Sequence, residues 1–138
     1  MATKVNTAVI WMYLVALVSF LAIDAVVLKF FMLPLFARHI GDMLREETQL
    51  GVALSFYAIF VAGLIYLAVL PALAEQNLWR AVKNGAVIGF ISYGTYEATN
   101  MATLRGWAWP MLAADISWGT ILSATVAAIA YGVGRAVA

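Results

Sequence analysis

Cysteine is absent from the chain, so no disulfide, thiolate metal site, iron–sulfur cluster or thiol nucleophile can be assembled from it. Histidine occurs once, at His39, which excludes paired-histidine haem ligation within one chain. Charge is scarce as well. Asp, Glu, Lys and Arg make up 11% of 138 residues, and a net charge of +1 with no basic run offers nothing to nucleic acid. There are three prolines and no Pro-, Ser- or Gly-rich stretch that would read as a linker between domains. What is present is hydrocarbon: 65% of the residues are hydrophobic and the mean hydropathy is +0.95. Such a composition cannot clothe a water-soluble domain, and it predicts a membrane protein.

A bilayer core about 30 Å thick needs about 20 apolar residues per helical span, and residues 7–31, 51–73, 82–104 and 111–133 meet that requirement. The runs are too long for barrel strands, so they read as helices. Short connections predict an all-α, four-helix, up-and-down bundle that uses residues 1–138 as a single transmembrane domain. The first run is too long for the apolar region of a cleavable signal and is expected to stay as a span. Asn77 is placed to cap the third helix, with Trp79 and Arg80 at headgroup level. Arg105 and Gly106 end that helix, and Trp107, Trp109 and Pro110 open the fourth, the tryptophans as interface anchors.

Between the first two spans, Leu33, Phe36, Ile40, Met43 and Leu44 recur at helical spacing, with Arg38, Asp42, Arg45 and Glu46 elsewhere on the wheel. Residues 35–47 therefore form an amphipathic helix. It either lies on the membrane or packs its apolar side against the bundle, and the pattern fits both. His39 in this stretch is expected to be a solvated polar residue. The positive-inside rule is tied, with Lys4, Arg80, Lys83 and Arg135 on one side and Lys29, Arg38, Arg45 and Arg105 on the other. Both termini are assigned to the cytoplasm.

Three acids interrupt the apolar runs. Counting from Thr7 and from Arg80, Asp24 and Glu97 each lie roughly 26 Å along their helices, at about 1.5 Å per residue. Asp115 enters from the opposite direction, roughly 9 Å beyond Trp109. All three reach one depth near one membrane face. A charged side chain facing lipid costs about 2.5–3.5 kcal/mol at the centre of a span, so all three should face inward.

Gly85, Gly89, Ser92, Tyr96, Thr99 and Thr103 recur at alternating steps of four and three on the third helix. Asp115, Gly119, Ser123 and Ala127 recur every four residues on the fourth. Close packing along Gly85, Gly89, Gly119 and Ser123 follows. The expected ligand-binding set is Asp24, Tyr93, Tyr96, Glu97, Thr99, Asn100, Asp115 and Trp118. Tyr13, Tyr57 and Tyr66 are read as packing groups.

Neighbouring carboxyls in a dry site resist simultaneous ionisation, so the cluster suits a bound proton, a cation or a cationic ligand. Arg105 is a candidate counter-ion for Glu97. Carboxylates alone make a poor metal signature, and neither a metal nor a cofactor is assigned. The plainer reading is that neutral acids hydrogen-bond to Asn, Tyr or backbone groups and tie helices together, for about 1–2 kcal/mol at most.

The strings "YGTYEATNMATLRGW", "DISWGT" and "FLAID" resemble an uncharacterised family of small four-span bacterial predicted membrane proteins, a domain of unknown function. The resemblance runs along the chain and falls on Asp24, Tyr93, Gly94, Thr95, Tyr96, Glu97, Thr99, Asn100, Asp115, Trp118, Gly119 and Thr120. It implies a multi-pass protein of the bacterial inner membrane and transfers no activity. Two positions depart from the family pattern. Glu97 stands where the family usually has Asp, and Val27 or a neighbour replaces an expected Trp.

Three functional classes fit these residues. In the first, the carboxylate, Asn and Tyr site binds or moves a proton, cation or small amphipathic ligand. In the second, the protein is a lipid-modifying enzyme or helper in which the acids act as general acid and base; without a Ser–His pair, a His cluster or a nucleotide loop, redox or hydrolytic chemistry would require a partner or a bound cofactor. The third is an accessory subunit. The bilayer is the expected partner throughout, together with a homo-oligomer or a larger membrane protein, and no nucleic acid.

Overall fold

A computed structural model describes residues 2–137, with side chains from residue 6 onward. Lys4, counted in the charge tie, lies outside the residues whose side chains are described. The chain folds as α1 (Ala2–Val27), a π-helical turn (Leu28–Met32), α2 (Leu33–Ile40), a 3-10 turn (Gly41–Met43), α3 (Leu50–Leu64), a second π-turn (Ile65–Val69), α4 (Leu70–Ala74), α5 (Leu78–Thr103) and α6 (Trp109–Val137). Among the described residues there is no strand. Three helical stretches are long and apolar enough to cross a membrane: Asn6–Met43, Leu50–Ala74 and Trp109–Val137. At 26 residues α5 is long enough too, but it carries Arg80, Lys83, Asn84, Glu97 and Asn100 and falls outside the three. On this measure the four expected spans become three.

Two prolines account for the two widened turns. A proline inside a helix has no N–H and its ring collides with the carbonyl four residues back. Each π-turn lies just ahead of a proline, Pro34 after Leu28–Met32 and Pro71 after Ile65–Val69, and widening the backbone relieves the clash while the helix continues. For this reason α2 is a direct continuation of α1, where a separate helix over 35–47 was expected. It closes in the 3-10 turn ending at Met43, and residues 44–49 are not helical. Its buried side chains, Leu35 and Ile40, pack against Met111 of α6 with Phe36 and Trp107 alongside. Of the apolar positions expected to share one face, Ile40 is buried and Phe36 half-buried, while Leu33, Met43 and Leu44 are exposed.

The helix ends follow local rules. Asn77 Oδ1 accepts a hydrogen bond from the Trp79 N–H at 3.0 Å and caps α5. Arg80 pairs with Glu75 across the preceding turn. Gly106 holds the left-handed conformation (φ 84°) that breaks the chain between α5 and α6.

The core is built from α1, α3 and α6, with Met12, Phe20, Val61, Leu64, Leu122 and Val126 fully enclosed. Against α6 lies α5, its backbone brought close by small residues. A Cβ at Gly85 would lie 2.8 Å from the Ala127 Cβ, and one at Gly89 would lie 2.7 Å from Ser123 Oγ. A Cβ at Gly119 would enter the ring of Tyr93. On α5 the contact face runs in steps of four, through buried Ala81, Gly85, Gly89 and Glu97 with half-buried Tyr93 between the last two. Ser92, Tyr96, Thr99 and Thr103, expected on that seam, are exposed instead. Steps of four on both helices let the two ridges mesh.

Candidate functional site

Between α1, α3, α5 and α6 lies a cavity of about 490 Å³. Phe20, Phe56 and Phe60 form part of its wall, Leu28, Met32, Leu33 and Phe36 from the first π-turn and α2 close one side, and Ser92, Tyr93 and Tyr96 come from α5. Asp24 and Asp115 are the charged residues on its surface, and Trp118 and Tyr57 complete it. Phe20 is fixed by tilted contacts with Tyr57 (centroids 5.4 Å apart) and Phe60 (5.7 Å). The mouth is bordered by exposed apolar and aromatic side chains, Leu28, Leu33, Phe56 and Tyr96.

Each acid is held differently. Asp24 is buried on α1, and its Oδ1 accepts a hydrogen bond from the Trp118 indole N–H at 3.0 Å, which joins α1 to α6. Glu97 is completely buried on α5, and its Oε2 accepts from the Trp107 indole N–H at 2.7 Å. Glu97 Oε1 is enclosed without a fixed donor, and the neighbouring carboxyl is that of Asp115. Asp115 is half-buried on α6 and lies close to both Glu97 and Asp24. Tyr57 and Tyr93 lie near Asp24 and Asp115. The three acids form a chain with Asp115 in the middle. Among the described residues no group of three such side chains is gathered closely enough to hold a metal ion.

Of the expected binding residues, Asp24, Tyr93, Tyr96, Asp115 and Trp118 line the cavity. Glu97 stands behind Asp115 rather than on the surface. Asn100 is half-buried beside Tyr96, and Thr99 is exposed, its carbonyl accepting from Thr103. Arg105 is exposed and makes no ion pair among the described residues, so the Trp107 indole takes the place expected for it beside Glu97. His39 is exposed, with Nδ1 3.1 Å from the Leu35 carbonyl.

Two residues carry more than sequence reasoning assigned to them. Trp107, expected as an interface anchor, turns inward because the Gly106 break reverses the chain. It meets Glu97 and stands edge-on to Phe36 (5.6 Å) and Tyr96 (6.1 Å). Tyr57, expected as packing, has its ring on the cavity wall. The available signals were a tryptophan immediately after a helix-breaking glycine, and an aromatic group recurring at Phe56, Tyr57 and Phe60.

Residues 9–132 match a family described as "Predicted membrane protein (DUF2177)". No curated protein and no solved structure matches the chain.

Proposed function

Since the chain belongs to that family of predicted membrane proteins, whose description transfers no activity, we propose that it binds a small amphipathic ligand inside the membrane. The ligand's polar end sits at Asp24 and Asp115 and its apolar body lies along Phe20, Phe56 and Phe60. In this reading all four long helical stretches cross the bacterial inner membrane, α5 included, as an up-and-down bundle with both termini in the cytoplasm. Support for counting α5 as a span comes from Glu97, whose carboxyl is wholly enclosed by protein and so is never presented to lipid.

The observation that carries the proposal is the cavity: about 490 Å³, walled by aromatic and aliphatic side chains, with Asp24 and Asp115 as its charged groups. Ligand sites are commonly concave and apolar, about 300–1,000 Å³ in size, with a few polar groups that set orientation. Carboxyls used only to tie helices together would not require such a space beside them. Trp118 holds Asp24 in place, and Trp107 holds Glu97 behind Asp115.

The test uses an alkyl amphiphile bearing a photoreactive diazirine on its chain, added to the protein in lipid nanodiscs. Cross-links mapped by mass spectrometry are expected on peptides carrying Phe20, Phe60 and Tyr93. They should saturate, be competed by the unlabelled amphiphile, and fall several-fold when Ser92→Trp fills the mouth. Labelling that does not saturate and follows lipid-facing residues such as Phe30 and Val52 would remove the proposal.

A further inference from the structure

The cavity's surroundings specify the head of its ligand. Among the described residues its surface carries two aspartates and no lysine, arginine or histidine. A third acid, Glu97, is enclosed behind Asp115. Among the described residues no base pairs with these acids: the Lys29 ammonium sits 5.5 Å from the centre of the Phe30 ring, Arg80 pairs with Glu75 at the far end of α5, and Arg105 is exposed. Indole donors serve one oxygen of Asp24 and one of Glu97, and no donor of that kind serves Asp115. Three carboxyls are gathered here, and among the described residues none of them pairs with a lysine, an arginine or a histidine.

The rings make the same demand. Phe20 and Tyr57 meet at a tilt of 55° on the cavity wall, and Tyr93, Tyr96 and Trp118 stand near the acids. An aromatic face is the negative pole of the ring quadrupole and attracts a cation, and quaternary ammonium groups are recognised by cages of this kind. A head carrying a phosphate would bring a second anion to a surface that has no base to receive it. Resting on the reading of this cavity as a ligand site, we infer that the cavity selects a single-chain amphiphile whose head is a cationic ammonium group without a phosphate.

The experiment compares four dodecyl amphiphiles for binding to the protein in zwitterionic nanodiscs: dodecyltrimethylammonium, dodecanol, dodecanoate and dodecylphosphocholine. The ammonium compound is expected to bind roughly tenfold more tightly than the alcohol, with the phosphocholine and the carboxylate weaker still. Asp24→Asn and Asp115→Asn should each shrink the preference for ammonium over alcohol, whereas Asp115→Glu should keep it. Thermal unfolding of each variant separates loss of the site from loss of the fold, and Asp115→Glu keeps the charge test valid if an asparagine variant is unstable. Equal binding of the alcohol and the ammonium compound, or of the phosphocholine and the ammonium compound, overturns this inference and leaves the cavity a ligand site. An ammonium preference that persists in the Asp24→Asn/Asp115→Asn double variant overturns it as well. If none of the four binds above the level of Ser92→Trp, the underlying reading fails too.

Discussion

At the scale of single residues, glycines and indoles do most of the positioning. Gly119 lies against the ring of Tyr93, and that ring is part of the cavity wall. Gly119→Ala would drive a methyl group into it, with an expected loss of about 1–3 kcal/mol of stability. Gly132→Ala serves as the comparison, since a Cβ there meets nothing within 4 Å. In a helix that change should be neutral or stabilise by up to about 1 kcal/mol. Thermal unfolding in detergent compares the two, and equal behaviour would mean that α5 and α6 are not in close contact at Gly119.

Trp107 offers a second residue-scale test. Trp107→Phe removes the donor to a fully buried carboxyl oxygen, an expected loss of about 1–3 kcal/mol. The same substitution should be milder in a Glu97→Leu background, where no buried carboxyl oxygen is left to lose its donor. Additive losses in the double-variant cycle would show that the two side chains act independently.

At the scale of elements, much of the fold was legible and the register was not. Lengths and ends of the long helices follow from apolar runs, from Asn77 as a cap and from Gly106 as a break, all local signals. The continuity of α1 into α2 is harder to read, because Pro34 suggests a stop, while the structure absorbs it with a π-turn. The α5 contact face was misread for a similar reason. Small and polar residues on α5 trace two overlapping stripes, and only the partner helix selects the one through Ala81, Gly85, Gly89 and Glu97. The acids were easy to find as anomalies in an oily chain. Their indole partners were not, since Trp107 and Trp118 are ordinary membrane residues until the turn geometry aims them.

The π-turn makes an element-scale prediction. Pro34→Ala restores an N–H and removes the clash that the widened turn relieves, so α1–α2 should relax towards a regular helix. Removing one residue's worth of π-bulge rotates α2 by about 100° relative to α1, which would carry Leu35 and Ile40 off Met111. Spin labels at exposed Arg38 and Trp109 should then report a shifted or broadened distance. An unchanged distribution would mean that packing on α6, and not Pro34, sets the turn.

At the scale of the whole molecule, a chain without cysteine is suited to mapping its own topology. Single cysteines at Gln76 and Arg135 should react with an impermeant maleimide from the cytoplasmic side, and cysteines at Glu46 and Arg105 from the other. Reaction of Gln76 and Arg105 from the same side would show that α5 does not cross. The central claim is that Asp24 and Asp115 head a ligand cavity within the membrane, and electron cryomicroscopy of the protein in nanodiscs, bound to a fiducial antibody fragment, tests it most directly. The account predicts elongated density between α1, α3 and α5 that ends against the two aspartates; Phe20, Phe56 and Phe60 collapsed together, with no space left beside the acids, would contradict it.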